Sequence, residues 1–161
     1  MVSKVVDVTE ISAVVAAAGV LVGVLYYILD MRNQTRQRQT DMLWNIYRSM
    51  VTKEFLEAML RIMTLEFKDY DDFVKRYGPM ISESPITLAY LIITDMYEGI
   101  GVLLHRKLVE ADLLFEFVSV QDVWEKTKPL IEENRKQFNS PRTLEWFEYL
   151  YNESRKREQR K

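Results

Sequence analysis

The residues with the richest chemistry in this chain are Asp95, Glu98 and His105, the last being its single histidine. At 100° per residue, Glu98, His105, Thr94 and Thr87 share one sector of a helix, with Asp95 at its edge. Two carboxylates three residues apart, followed two turns on by an imidazole, are the start of a metal site in a helical bundle. Completing such a site takes ligands from facing helices, typically as repeated Glu-x-x-His units. The chain contains no Glu-x-x-His and no second histidine. The same residues equally form a half-solvated polar face that pairs with basic side chains elsewhere. Asp95, Glu98 and His105 are thus the only metal candidates. No catalytic residue, cofactor-binding residue or cofactor is expected.

Other chemistries find less. With no cysteine there are no disulfides, thiolate metal sites or cysteine nucleophiles. A serine–histidine pair would rest on one histidine with no partner in view. Gly99 and Gly101 (EGIG) lack the Gly-Lys-Ser/Thr ending of a phosphate loop and follow no strand. A glycine inside a helix costs about 1 kcal/mol relative to alanine, so the pair points to close helix packing. Trp146, Phe147, Tyr149 and Tyr151 are spaced as a core face, with Tyr149 outside the apolar sector.

The elements that must position these residues are helical throughout. Met42, Leu43, Ile46, Tyr47, Met50 and Val51 mark an apolar face on a first helix. Thr52 is placed to cap a second, with Phe55, Leu56, Met59, Leu60 and Met63 inward. Asp69 caps a short helix that Gly78-Pro79 ends. Ser84-Pro85 is a cap followed by proline at the first helical position. It opens the most apolar helix of the domain, with Ile86, Ala89, Ile93, Met96, Ile100, Leu103 and Leu104 expected inward. Ser119 and Asp122 resemble a capping box, and Pro129 is expected to kink or divide the helix they open. Ser140-Pro141 is expected to open the last helix. Nothing alternates with period two, so the fold class is all-α: a compact antiparallel helical bundle behind an N-terminal helix.

That N-terminal helix is the strongest signal in the chain. Ile11 to Leu29 is nineteen residues without a charge, and such a helix reaches about 28 Å, near the hydrocarbon thickness of a bilayer. A secretory signal would have a basic n-region and a shorter apolar run, whereas Lys4 is countered here by Asp7 and Glu10. Pro85–Leu104 is almost as apolar. There Asp95 and Glu98 would cost about 5–7 kcal/mol on the insertion scale, against about 3–5 kcal/mol gained from its aliphatic residues. A single membrane span is therefore expected. Arg32, Arg36 and Arg38 follow it closely, so the positive-inside rule places the C-terminal domain in the cytoplasm and the short N-terminus outside. Tyr26 and Tyr27, with the three arginines, are the expected interfacial anchors. Ser12, Ala16, Gly19 and Gly23 fall within about 60° of one another and form a small-residue stripe of the kind that lets membrane helices approach closely.

Charge follows the same division. Residues 42–154 carry thirteen basic and nineteen acidic side chains, a charge of −6, while the tail 155–161 carries +4. An acidic body argues against nucleic acid as a partner. The expected organisation is a short extracytoplasmic N-terminus (1–10), a transmembrane helix (11–29), a juxtamembrane stalk (30–41), a helical domain (42–154) and a basic tail (155–161). The stalk, rich in Arg and Gln, should continue the membrane helix.

YYILDMRNQTRQRQTD at 26–41, MYEGIGVLLHRKLVEADLL at 96–114 and VWEKTKPLI at 123–131 resemble a prokaryotic family of short proteins defined as a domain of unknown function. Its members have one N-terminal membrane helix, an Arg/Gln-rich stalk and a compact helical domain. The resemblance implies architecture alone, without an activity, a cofactor or a catalytic residue. It draws Glu98 and Gly101 to attention because they lie in the most distinctive stretch.

These observations lead to a single-pass protein of the cell membrane that acts as a non-enzymatic anchor, adaptor or accessory subunit. Its expected partners are the lipid bilayer and, through the small-residue stripe, a second copy or another membrane protein. The alternative is a metal- or ligand-dependent helical enzyme or sensor using Asp95, Glu98 and His105.

Overall fold

The computed structural model describes residues 8–80 and 82–159; expectations for residues 1–7 and for the last two residues of the basic tail lie outside them. Seven helices follow one another, and no strand occurs among the described residues: α1 (Val8–Met50), α2 (Lys53–Met63), α3 (Tyr70–Tyr77), α4 (Pro85–His105), α5 (Ala111–Phe117), α6 (Gln121–Gln137) and α7 (Glu145–Glu158). The fold is all-α, as its periodicity requires. The chain divides into two compact units, one up to Thr40 and one from Asp41 onward.

The first unit is the N-terminal part of α1. It contains no proline, and the hydroxyls of Ser12 and Thr35 donate to the carbonyls four residues earlier, at 2.8 Å and 2.9 Å. Gln34 donates to Asp30 at 2.8 Å. The apolar side chains from Ile11 to Leu29 stay exposed. The expected stalk is helical without a break, because it carries good helix formers and neither glycine nor proline.

In the second unit the local cap signals form as the sequence implies. Thr52 Oγ1 accepts from the Phe55 N–H at 3.3 Å, Asp69 Oδ1 from the Asp72 N–H at 2.8 Å, and Ser84 Oγ from the Thr87 N–H at 3.1 Å. Gly78 ends α3 with φ 86°, a conformation that other residues rarely adopt. α4 packs mainly on α7 and α2, and Ile93, Tyr97, Ile100, Leu114, Ile131 and Phe147 are at most 1 % exposed.

Five details differ from expectation. The face of α2 that packs on α4 buries Phe55, Ala58 and Ile62, while Leu56, Leu60 and Met63, expected inward, are exposed. The Ser119–Asp122 capping box does not form; α6 starts at Gln121 with Val120 at the cap and no side-chain cap bond. The Ser119 carbonyl instead accepts from Tyr97 Oη at 2.7 Å, which holds that segment to α4. Pro129 does not divide α6, which runs through it. The buried face of α4 is rotated towards Tyr90, Thr94, Tyr97 and Gly101, leaving Met96 and Leu103 half-buried. Both tyrosines can turn inward because their hydroxyls find partners: Tyr97 at Ser119, and Tyr90 as acceptor from Asn134 Nδ2 at 3.3 Å. Finally, α7 does not begin at Ser140-Pro141. It begins at Glu145, after turns over 141–144 and with Leu144 in the left-handed region at φ 58°.

α7 extends to Glu158, into the expected basic tail. Arg157 donates to the carbonyls of Ala111 at 3.0 Å and Asp112 at 2.8 Å, and pairs with the Asp112 carboxylate at 3.0 Å. This end of the tail is tied to the start of α5.

Candidate functional site

The chemistry-bearing residues of α4 meet the start of α7, and the late start of α7 explains how. A helix leaves its first four N–H groups without intrahelical partners, and a Ser, Thr, Asp or Asn cap usually satisfies one of them. Leu144, the residue at that position, has no side-chain oxygen and makes no cap bond. Glu98 supplies the acceptor from another helix: its Oε2 receives the Phe147 N–H at 2.7 Å, and the Trp146 N–H also stabilises its charged form. One turn along α4, Gly101 lies against the same backbone. A Cβ at Gly101 would stand 2.1 Å from the Trp146 carbonyl oxygen and 2.5 Å from its carbon. The absent side chain is what lets the two helices approach this closely.

The rest of the seam is aromatic and cationic. The His105 ring lies 4.3 Å from the Trp146 ring centroid and meets Tyr149 edge-on at 5.4 Å. Phe147 inserts between Tyr97 (4.9 Å) and Trp124 (5.0 Å) and is fully buried. Trp146, Tyr149 and Tyr151 are half-buried, so Tyr149 is covered from one side despite its place outside the apolar sector. Arg135 of α6 holds the preceding turn: its Nε donates to the Thr143 carbonyl at 2.9 Å, Nη2 to the Leu144 carbonyl at 3.4 Å, and Nη1 pairs with Glu148 at 2.8 Å. Nothing in the charged run around Arg135 marks it in the sequence, because its partners are backbone carbonyls fixed only by the fold.

Burial raises the Glu98 carboxyl above the ordinary carboxylate range, opposed by the N–H groups of Phe147 and Trp146. Burial likewise pushes the Tyr90 and Tyr97 hydroxyls far above theirs. Glu145, hydrogen-bonded to Arg142, is held below the usual range.

The expected polar sector of α4 is thus not one solvated face. Thr94 is buried, its hydroxyl donating to the Tyr90 carbonyl at 2.8 Å. Glu98 caps α7 through backbone donors, His105 packs tilted against Trp146 and edge-on to Tyr149, and Asp95 is exposed on the opposite flank beside Met96 and Gly99. Among the described residues no three His, Asp or Glu side chains gather in a metal-binding group. The α4–α7 seam is a helix cap joined to a close backbone contact.

Gly19 and Gly23 have no atom of the chain within 4 Å of where a Cβ would stand, and Ser12 and Ala16 are exposed with them. Tyr26, Tyr27, Arg32, Arg36 and Arg38 are exposed on the same helix. α1 and α4 are both long and apolar enough to cross a membrane, with mean hydropathy 2.3 and 1.4 in their most apolar windows. The α1 window has no buried residue, and 39 % of the α4 window is buried.

No curated protein and no solved structure matches the chain. A family match spans residues 13–154, from the apolar part of α1 to within α7. The chain belongs to the family described as domain of unknown function DUF4760.

Proposed function

We propose that the protein is a single-pass membrane anchor and adaptor, with its N-terminus outside and its helical domain in the cytoplasm. The observation that carries this reading is the stretch Ile11–Leu29: uncharged, helical, as long as a bilayer is thick, and without a buried residue. An apolar surface of that extent in water is an aggregation hazard, and lipid covers it without further protein. The arginines on one side supply the direction. Ser12, Ala16, Gly19 and Gly23 supply a surface for close approach by another membrane helix, of a second copy or of a partner protein.

The test uses the absence of native cysteine. The chain should stay in the membrane pellet through alkaline carbonate. In intact cells a membrane-impermeant maleimide should label Val8→Cys and leave Asn152→Cys unlabelled. Release by carbonate would overturn membrane insertion, and the reverse labelling would overturn the orientation. Gly19→Ile with Gly23→Ile should reduce cross-linking between membrane helices; unchanged cross-linking would remove the stripe from the reading.

A further inference from the structure

The side of α1 opposite the small-residue stripe changes character along its length. By helical phase Leu21, Leu25, Ile28, Arg32 and Arg36 form one column about 80° wide, while Ser12, Ala16, Gly19 and Gly23 lie about 140–180° from Arg32. Where the column passes from aliphatic to cationic, Ile28, Met31, Arg32, Thr35 and Arg36 line a shallow recess of about 490 Å³. Arg32 and Arg36 are exposed, and neither makes an ion pair among the described residues. Asp30 lies about 160° around the helix from Arg32, and its carboxylate accepts from Gln34 at 2.8 Å. The Thr35 hydroxyl is engaged by the Met31 carbonyl at 2.9 Å. The recess therefore offers two guanidinium groups below an apolar wall, with no acid on the same side.

We propose that this recess binds the phosphate of one anionic phospholipid, with an acyl chain along Leu21, Leu25 and Ile28. The inference rests on the membrane insertion proposed above and holds for either orientation. Depth supports it. The uncharged run ends at Leu29, so the Arg32 Cα stands about 4.5 Å beyond it and the Arg36 Cα about 10.5 Å. The headgroup layer on each side of a bilayer is about 5–7 Å thick. Side chains of a helix tilt towards its N-terminus, here into the bilayer, which carries both guanidinium groups back towards the phosphates. The long stem of Arg36 spans the remaining distance. Charge selects the class of lipid. A guanidinium pairs with a phosphate through two parallel N–H bonds, and two of them with no carboxylate beside them leave an excess of positive charge. That excess repels the ammonium of a choline or ethanolamine headgroup and favours a headgroup without one, such as phosphatidylglycerol. Arg38 stands outside the column, about 120° from Arg32 and about 160° from Arg36.

The experiment reconstitutes the full-length chain in nanodiscs of equal phosphatidylglycerol and phosphatidylcholine and identifies the lipids it retains on release by native mass spectrometry. The unaltered chain should retain phosphatidylglycerol in several-fold excess over phosphatidylcholine. Arg32→Gln and Arg36→Gln should each reduce that excess several-fold, and Arg38→Gln should leave it unchanged. Glutamine keeps the helix propensity of these exposed positions, so the fold is preserved in all three. Equal retention of the two lipids would overturn the proposal. So would an equal loss in Arg38→Gln, which marks diffuse attraction rather than a site. Displacement of the lipid by inorganic phosphate would assign the recess to a soluble anion and overturn the lipid assignment. Carbonate extraction of the same variants separates this proposal from the reading beneath it. A chain released by carbonate refutes the anchor itself, whereas a chain that stays inserted without preferring phosphatidylglycerol refutes only the lipid site.

Discussion

The carboxylate of Glu98 caps a helix to which it does not belong: its Oε2 lies 2.7 Å from the backbone nitrogen of Phe147, forty-nine residues later in the chain. One turn further along α4, the missing side chain of Gly101 admits the Trp146 carbonyl. The two residues act together, one holding the start of α7 and the other leaving room for it.

Removing the cap should cost stability in a graded way. Glu98→Ala leaves the Phe147 N–H without its acceptor and should lower unfolding free energy by about 1–2 kcal/mol. Glu98→Gln keeps a neutral oxygen in place and should cost less. Urea denaturation of both variants at neutral pH tests the order.

The same residue sets a pH dependence. Its folded value lies above the ordinary 4.5 because burial disfavours the charge, so the folded protein holds this proton more tightly than the unfolded chain does. The associated stabilisation is complete below 4.5 and lost as pH rises through the folded value. Melting temperatures of wild type and Glu98→Gln, measured from pH 4 to 7, should show wild type losing ground to the variant as pH increases. A constant difference would contradict this.

Gly101 and Gly99 should behave oppositely. Gly101→Ala places a Cβ inside the Trp146 carbonyl, which forces α7 away, and should destabilise by about 3 kcal/mol or more. At Gly99 nothing lies within 4 Å of the added carbon, so Gly99→Ala should stabilise by about 0.4–1 kcal/mol through the unfolded chain and helix propensity. Thermal unfolding of the two single variants separates a packing glycine from a merely tolerated one.

Arg135→Met should lower stability by about 2 kcal/mol, because the carbonyls of Thr143 and Leu144 lose a charged donor. Arg135→Lys should rescue little, since an ammonium cannot reproduce the fork that spans both carbonyls and Glu148. Hydrogen exchange at the first amides of α7 should rise in both variants.

At the end of α4, Lys107 adopts φ 56° and the Leu108 N–H bonds to the Leu103 carbonyl at 3.0 Å, a left-handed helix ending in which glycine is favoured. Lys107→Gly should raise stability by about 1 kcal/mol, read as an increase in urea midpoint at unchanged slope.

What the sequence determined by itself is what depends on neighbours along the chain. The uncharged length of Ile11–Leu29, the caps at Thr52, Asp69 and Ser84-Pro85, the stop at Gly78-Pro79 and the all-α class each follow from contacts within a turn or two. The tertiary structure decided the rest. Ser119 and Ser140-Pro141 carry good local start signals, yet α6 and α7 begin elsewhere: Tyr97 takes the Ser119 carbonyl, and Arg135 and Glu98 reach the last helix from α6 and α4. Glu98 was visible as a carboxylate among polar neighbours, but its cap role needs a backbone N–H brought from forty-nine residues away. Gly101 was visible as a packing glycine, but only the fold names Trp146 as what it packs against. Local hydrogen bonds and hydrophobic period are encoded residue by residue, whereas a polar group's partner is chosen by whichever donor or acceptor the packed core carries to it.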